Sequence, residues 1–449
     1  MTGNRFGGLR GNSAHATRCT ESAAENMMAS QSGGSRHYAQ ILSAAGLAIL
    51  GSLCSIYIVS QFLRSSVGVI APNLADEIGL SASDLGLLSS AFFFAFAAAQ
   101  LPLGVAIDRF GPKSCILACA AFIVVGSVFF ALAMSTTGLV FARMLLGLGS
   151  ASFFMAPLAL YARWFAPQRF STLTGIHLGV GSLGTLLATA PLAFAAAAAG
   201  WRAVFFGVAV ITIVIAANVG IFVRDDPPGR TASRRNETFR QSVAGVVDAM
   251  RIPSVGRLFL VHLSIYSSFL LIVGLWGAPY LTHHYGYDLK GRGELLFVPA
   301  LMQMFGSFFW GPMDRVFAGH KLPVLLGSAG TLATLVALAT FGTIPEAALW
   351  AAFAILGFSS AVTPVLVAHG KSLFPAALLG RGITLLNLGT MGGVFLSQLV
   401  SGVVIDLFPS ENGVYPLEAY RTVFGLQAVF LLAACIAYAG ADDPAARKS

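Results

Sequence analysis

The sequence predicts an all-α integral membrane protein, with twelve transmembrane helices in two six-helix bundles. Three observations carry that expectation. Hydrophobic residues make up 56% of the 449-residue chain and charged residues only 10%, with a mean hydropathy of +0.77; a soluble domain carries about 25% charged residues. Apolar windows of roughly 20 residues, the length a helix needs to cross a bilayer, recur twelve times. Short stretches from the first six windows return, in order, in the last six.

Residues 1–40 are polar, Gly/Ser-rich and without periodicity. They lack the apolar core of a signal peptide and read as a disordered cytoplasmic tail, which a start at Met27 or Met28 would shorten. Apolar windows follow near 45–74, 84–106, 114–134, 138–162, 172–197 and 202–223, and then near 257–281, 293–313, 322–342, 346–370, 382–406 and 419–440. The expected organisation is a first bundle over 41–223, a basic cytoplasmic linker over 224–256, a second bundle over 257–440 and a cytoplasmic tail over 441–449. Within the linker, Phe239 to Met250 has the pattern of a short amphipathic helix lying at the membrane surface. Gly is 49 of 449 residues, above the usual ~7%, which suits helices packed closely in lipid.

Lysine and arginine set the orientation. With both termini cytoplasmic, twenty-one of them fall on inner segments and four (Arg202, Lys290, Arg292, Arg421) on outer ones, while Arg64 and Arg143 lie inside helices. That asymmetry is the positive-inside pattern. The net charge of +8 therefore reflects topology and not nucleic-acid binding. The expected setting is the lipid bilayer of a bacterial inner membrane, with a monomer as the unit. The five cysteines are scattered, and no His or acidic residue joins Cys115 and Cys119, so neither a metal site nor a cofactor is expected.

The internal repeat is specific. LLGLGSA at 145–151 returns as ILGFSSA at 355–361, Asp108-Arg109 as Asp314-Arg315, and GWRAVF at 200–205 as AYRTVF at 419–424. Two halves in the same orientation form a transporter architecture, with the solute site at their interface near the membrane midplane.

GVAIDRFGPK (104–113) places three charges between two apolar windows. Asp108 falls at the C-terminal end of its helix, where its charge opposes the helix dipole and calls for an outside partner. Gly104, one turn earlier, is expected to admit a neighbouring helix. Gly111-Pro112 forces a turn, and Arg109 with Lys113 holds the loop inside. This stretch resembles the loop signature of the major facilitator superfamily. Arg143-Met-Leu-Leu-Gly147-Leu-Gly149 resembles the family's fourth-helix motif, and Gly181 to Pro191 its Gly/Pro-rich fifth helix. The resemblance covers about residues 45–440. It implies rocker-switch alternating access, with Gly104, Asp108, Arg109 and Gly111 forming a conformational lock that latches the halves when the protein is open outward. The second copy, around Asp314 and Arg315, departs from the pattern: Trp310 replaces the first Gly, and the trailing Gly is displaced to Gly319.

A charge at the centre of a spanning helix costs about 2.5–3.5 kcal/mol on insertion scales, so Arg64 needs compensation. Tyr57, Gln61 and Arg64 share one helical face. No Asp or Glu lies well within a window, and Asp406 is assigned to a cytoplasmic helix end. An Arg facing a cavity without a carboxylate invites an anionic solute; the bland alternative is a strut bonded to backbone carbonyls. Arg143 has the same two readings, strut or coupling residue. His177, in the fifth window, suits either a proton carrier or an interhelical hydrogen bond. His262 and His369, near helix ends, read as structural. Trp276 and Tyr280 suit either the cavity lining or the interfacial belt.

Within the superfamily, RSSVGVIAPNL (64–74), Tyr57, His177 and VRDDPPGR (223–230) resemble the anion:cation symporters and the organophosphate:phosphate antiporters. Ser65 stands where some phosphate-ester carriers have Lys, and Leu270 where they have a second Arg, which favours a carboxylate over a phosphate ester. Nitrate carriers use Arg in the second and eighth helices, and none is expected there. The sequence therefore reads as a secondary transporter of a small organic anion, importing it with protons. A transporter-like solute sensor and an efflux carrier are the alternatives. An enzyme is disfavoured, because the windows hold no paired metal motif and no Ser nucleophile with a base.

Overall fold

The computed structural model describes residues 44–227, 239–375, 378–411 and 413–444. The 1–40 tail, the alternative starts, the middle of the linker and residues 445–449 lie outside the described residues. The helices are α1 (Ala44–Ile78), α2 (Ala82–Phe110), α3 (Pro112–Leu132), α4 (Thr136–Trp164), α5 (Phe170–Leu187), α6 (Ala190–Phe222), a separate linker helix (Phe239–Met250), α7 (Val255–Tyr285), α8 (Leu289–Trp310), α9 (Lys321–Phe341), α10 (Glu346–Leu373), α11 (Leu379–Asp406) and α12 (Leu417–Ala439). Among the described residues, 10 helices are long and apolar enough to cross a membrane. The remaining two numbered helices are α5, which is shorter, and α8, which carries Lys290, Arg292 and Glu294 in its first turns.

Two boundaries differ from the sequence reading. The 172–197 window is broken: Thr189 leaves helical geometry (φ −109°, ψ −113°), and Pro191, with no N–H to donate, starts α6. α6 then bends at Gly200, whose φ of +82° suits glycine, so it holds the end of the fifth window and all of the sixth. α8 begins at Leu289 because Asp288 caps it, accepting from Gly291 N at 2.8 Å. Arg292, assigned to an outer loop, is therefore a buried residue of the eighth helix.

The sequence repeat is a packing repeat. A side chain at Gly147 of α4 would run into the Phe92 carbonyl of α2, and one at Gly357 of α10 into the Pro299 carbonyl of α8. Gly149 gives the same close approach to Cys119 and Ile123 of α3. In the second copy Ser359 stands there, and the glycines lie on the partner helix instead, as Gly327 and Gly330 of α9. Small residues at these crossings let backbones meet where lipid provides no hydrophobic drive.

The linker helix forms over 239–250 as expected, but its buried positions pack on protein: Gly245 lies against Arg381 at the start of α11. We call this side the linker face and the opposite side the far face. α11 starts at the linker face, and its 28 residues span about 42 Å. Its last residue, Asp406, therefore stands at the far face, against the first turn of α2, and not at the end where the sequence reading put it.

The chain's two halves meet closely on the far face. A Cβ at Gly86 would stand 2.7 Å from Gln398 O and 2.9 Å from Gly402 Cα, and one at Gly402 would stand 2.7 Å from Ala82 O. Gly68 of α1 lies against Val273 and Gly274, inside a π-helical turn of α7 (Ile272–Trp276) that no sequence signal announced. Arg292 donates to Val69 O at 2.9 Å, to Thr282 Oγ1 at 3.0 Å and to Asn73 Oδ1. Gly104, expected to admit a neighbour, has no atom of another element within 4 Å of its would-be Cβ, and the same holds for Gly380 and Gly392.

The residues after α6 and after α12 perform one task twice. Asp225 lies against Gly111 (φ +89°) and accepts from Lys113 N at 2.7 Å, capping α3, while Lys113 Nζ reaches Gly220 O at 2.7 Å. Asp226 pairs with Arg163 at 3.4 Å. Asp443 caps α9 in the same way, accepting from His320 N at 2.7 Å, Lys321 N at 3.0 Å and His320 Nδ1 at 2.9 Å. Burial raises the Asp443 pKa, but these hydrogen bonds outweigh it and hold the carboxyl down at about 2. Because the folded-state pKa is depressed, this stabilisation is fully present above pH ~4 and is lost as pH falls through about 2. Asp443→Ala is expected to lower the melting temperature of the purified protein at neutral pH, by the equivalent of ~0.5–2 kcal/mol. The gap from wild type should close as the scan is repeated in acid. A gap that persists unchanged at the lowest pH would contradict the cap.

Candidate functional site

Two arginines from different helices come together on one face of α2. Phe92 and Phe96 are one turn apart and stacked, with ring centroids 6.4 Å apart. The guanidinium of Arg143, from α4, lies 4.6 Å from the Phe92 centroid, and that of Arg64, from α1, lies 4.7 Å from the Phe96 centroid. Arg143 Nη1 donates to Leu63 O at 2.7 Å, next to Arg64 in the chain. Arg143 is 0% exposed and Arg64 6%.

Neither guanidinium is satisfied by the protein. Arg64 Nε, Arg143 Nε and Arg143 Nη2 are buried donors with no hydrogen-bond partner; the Gln100 amide leaves its Nε2 donor and its Oε1 acceptor unpaired, and Gln61 Oε1 is a further unpaired acceptor. Gln100 lies one turn beyond Phe96 on α2, and Gln61 one turn before Arg64 on α1. Buried donors of this kind are normally paired, which sets these guanidinium nitrogens apart from the backbone-bonded Arg143 Nη1. At the corresponding places the second half is uncharged, with Leu270 on α7 and Phe353 on α10. There Gln427 Nε2 donates to Ser267 Oγ at 3.1 Å and Ser268 Oγ at 3.0 Å.

His177 is fully buried and saturated. Its Nε2–H donates to Phe153 O at 3.2 Å, which leaves Nδ1 to accept from Tyr161 Oη at 3.1 Å. Tyr57 stacks on the imidazole at 4.4 Å. Gly181 and Gly184 bring α5 onto α1 at Tyr57, Ile58 and Gln61, which accounts for the glycines of the fifth window. Thus Tyr57, Gln61, Arg64 and His177 form one continuous patch.

The other candidates lie elsewhere. Trp276 donates to Ser401 Oγ at 2.7 Å, and Tyr280 donates to Gly342 O and packs on Tyr285, Tyr420 and Phe424. Both are buried, 1% exposed; Trp276 ends the π-helical turn that packs on α1, and Tyr280 lies among aromatic rings of the second half. Asp108 ends α2 as expected, and Arg109 lies 5.4 Å over Phe110. Asp314 and Arg315 occupy a separate single turn, Met313–Val316, because Gly311-Pro312 ends α8; Ala318 then takes the positive φ (49°) that Gly111 takes in the first copy. His369 accepts from Tyr438 Oη at 2.7 Å and donates to Asp442 O at 2.8 Å, the structural role expected. Arg292 and Asp406 were placed elsewhere by the sequence reading, and the clasps formed by Asp225, Asp226 and Asp443 were missed. Their signal was a repeated Asp-Asp-Pro after the last helix of each half.

Long apolar helices, a duplicated packing pattern and buried arginines define a multi-pass membrane protein built on an internal repeat. The chain belongs to the Major Facilitator Superfamily, whose sequence model matches residues 53–298 and again 258–449. It is 27% identical over 281 residues to "Probable sulfoacetate transporter SauU" of Cupriavidus necator, covering 60% of this chain and 65% of that protein. It is 24% identical over 287 residues to "Probable L-galactonate transporter" of Escherichia coli, covering 60% and 61%. The match thus spans less than two thirds of either relative's length. Among solved structures, the fold resembles a bacterial homolog of the human lysosomal transporter Spinster, with a TM-score of 0.73 at 17% identity over 88% of this chain and 96% of that one. It also resembles a D-xylose-proton symporter, with a TM-score of 0.65 at 14% identity over 86% and 97%. These relatives and neighbours bear the names of transporters and none that of an enzyme.

Proposed function

We propose that this protein is a secondary transporter of a small organic anion, working by alternating access between two six-helix halves, residues 41–223 and 257–440. The observation that carries the reading is the pair of arginines, Arg64 of α1 and Arg143 of α4, lying against α2 with buried donors the protein itself does not satisfy. A fixed guanidinium keeps its charge at every physiological pH, and a carboxylate is its natural partner. The names of the relatives, sulfoacetate and L-galactonate transporters, are of small organic anions. Arg143 adds a second cation beside Arg64, so the site suits a solute with two anionic or strongly accepting groups as well as a monocarboxylate. In this reading the chain makes twelve crossings, both termini and the linker face are cytoplasmic, the far face is outer, and the structure is the inward-open form. The Asp108 loop would then engage in the opposite form. The membrane is the bacterial inner membrane, and the direction is import with protons.

The test is a thermal-shift panel of carboxylates, sulfonates and phosphate esters on the full chain. Saturable stabilisation by organic anions supports the reading; no response to any anion would overturn it. His177→Gln addresses coupling. Because His177 has both nitrogens engaged while neutral, a proton at Nδ1 would have to reverse the Tyr161 hydrogen bond. The variant is expected to exchange bound solute but to lose accumulation driven by a pH gradient. Full accumulation would move the proton elsewhere.

A further inference from the structure

The first turn of α2 is capped from two sources. Its own residues form a capping box: Ser81 N donates to Asp84 Oδ2 at 3.1 Å, and Asp84 N to Ser81 Oγ at 3.1 Å. The two amides between them are left for the other half of the chain. Ala82 N donates to Asp406 Oδ1 at 3.1 Å, and Ser83 N to Asp406 Oδ2 at 2.9 Å. Tyr415, in the loop before α12, donates to Asp406 Oδ1 at 2.6 Å and accepts from Ala82 N at 3.0 Å. A carboxylate at the C-terminal end of α11 thus sits on the positive end of α2, beside the Gly86/Gly402 crossing. These bonds exist only while the far face is closed; parting the helices leaves both amides and the carboxylate to water.

We infer that Asp406 is a proton-operated latch: its carboxylate holds the far face shut, and taking up a proton from that side releases it. Protonation removes the charge facing the α2 dipole and turns an acceptor-only group into one that must also donate, where the neighbours at hand are N–H and O–H donors. The titratable groups around Asp406 are Tyr415 and Asp84; Ser81 and Ser83 are neutral. Burial, and then its hydrogen bond to Asp406, push the Tyr415 hydroxyl up to about 12, so it remains a donor. Asp84 is committed to its own capping box. Asp406 is the member whose charge faces the other half; burial alone would raise its carboxyl, but the hydrogen bonds around it hold it below the usual carboxylate range while the far face is closed, so acid favours the form in which those bonds are broken. Its place at the far face would let outside acid open the protein outward, a role for which the spans offer no buried carboxylate. The assignment of this face as outer rests on the function proposed above; the latch itself does not.

The test uses paired spin labels at Met134→Cys and Leu407→Cys, which are 80% and 77% exposed on opposite halves at the far face, in the full chain with its native cysteines replaced. Distances are measured without solute at neutral and acid pH. The parent should be mostly at the short distance at neutral pH and gain a longer one in acid. Asp406→Asn should show the longer distance at both, with the short-to-long ratio lowered about tenfold at neutral pH. Asp406→Glu should restore a pH response, and Asp84→Asn should leave it in place. An Asp406→Asn protein with the parent's short distance and pH response would overturn the latch. Because no solute is present, that failure is distinct from a failure to bind anions.

Discussion

Arg64→Ala is expected to abolish anion recognition while leaving a folded, membrane-inserted protein. The guanidinium lies over Phe96 with a buried Nε that no protein group accepts, so removing it takes away a charge the protein does not itself neutralise. Arg64→Lys keeps the charge but loses the planar fork that grips a carboxylate through two parallel bonds. A charge-assisted hydrogen bond contributes roughly 1.5–3 kcal/mol, so the lysine variant should lose about tenfold or more in affinity and the alanine variant should show no ligand-induced thermal shift. The alternative, a strut, makes the opposite demand: the unliganded melting temperature would drop and ligand binding would follow it. Arg143 provides the comparison. It is bonded to Leu63 O and wholly buried, so Arg143→Ala should lower the unliganded melting temperature as well as affinity.

Gly402→Val should hold the far face open. The Gly402 side chain would stand 2.7 Å from Ala82 O and 2.9 Å from Gly86 Cα, so a valine cannot fit unless α2 and α11 separate. Overpacking of this kind costs about 1–3 kcal/mol, and only in the form closed at the far face, so the balance should move roughly 5- to 100-fold toward the open one. The Met134/Leu407 label pair should report the longer distance, and uptake should fall by at least tenfold. Gly392→Val is the control, because its side chain would meet no atom of another element within 4 Å. Equal behaviour of the two variants, or normal transport by Gly402→Val, would contradict the crossing as the gate.

Much of this architecture was legible in the residues, because lipid imposes simple rules. Apolar length located most of the long helices, and the LLGLGSA and ILGFSSA copies, read only as a repeat, fall at two equivalent crossings, Gly147 on Phe92 and Gly357 on Pro299. Arg64 stood out because a lone intramembrane charge demands an explanation. What stayed hidden depends on three-dimensional neighbours. Nothing in the order of residues says that Arg143 and Arg64 share the Phe92/Phe96 face, or that His177 has both nitrogens engaged. Trp276 and Tyr280 illustrate the limit: composition allows them in a cavity or in the interfacial belt, and their hydrogen bonds to Ser401 and Gly342 could not be read from the residues. Gly104 fails for a related reason, since a glycine placed for a helix crossing is uninformative about which conformation closes it. Asp406 was misplaced because its helix was read by composition alone, without following its direction from the linker face.

The most direct test of the central claim is uptake by the full chain reconstituted in lipid vesicles, across carboxylates, sulfonates and phosphate esters, with and without an imposed pH gradient. The account predicts saturable uptake of a small organic anion, accumulation above the outside concentration when the outside is acid, and neither with Arg64→Ala. Folded wild-type protein that moves no anion, or an Arg64→Ala variant that accumulates one normally, would contradict it.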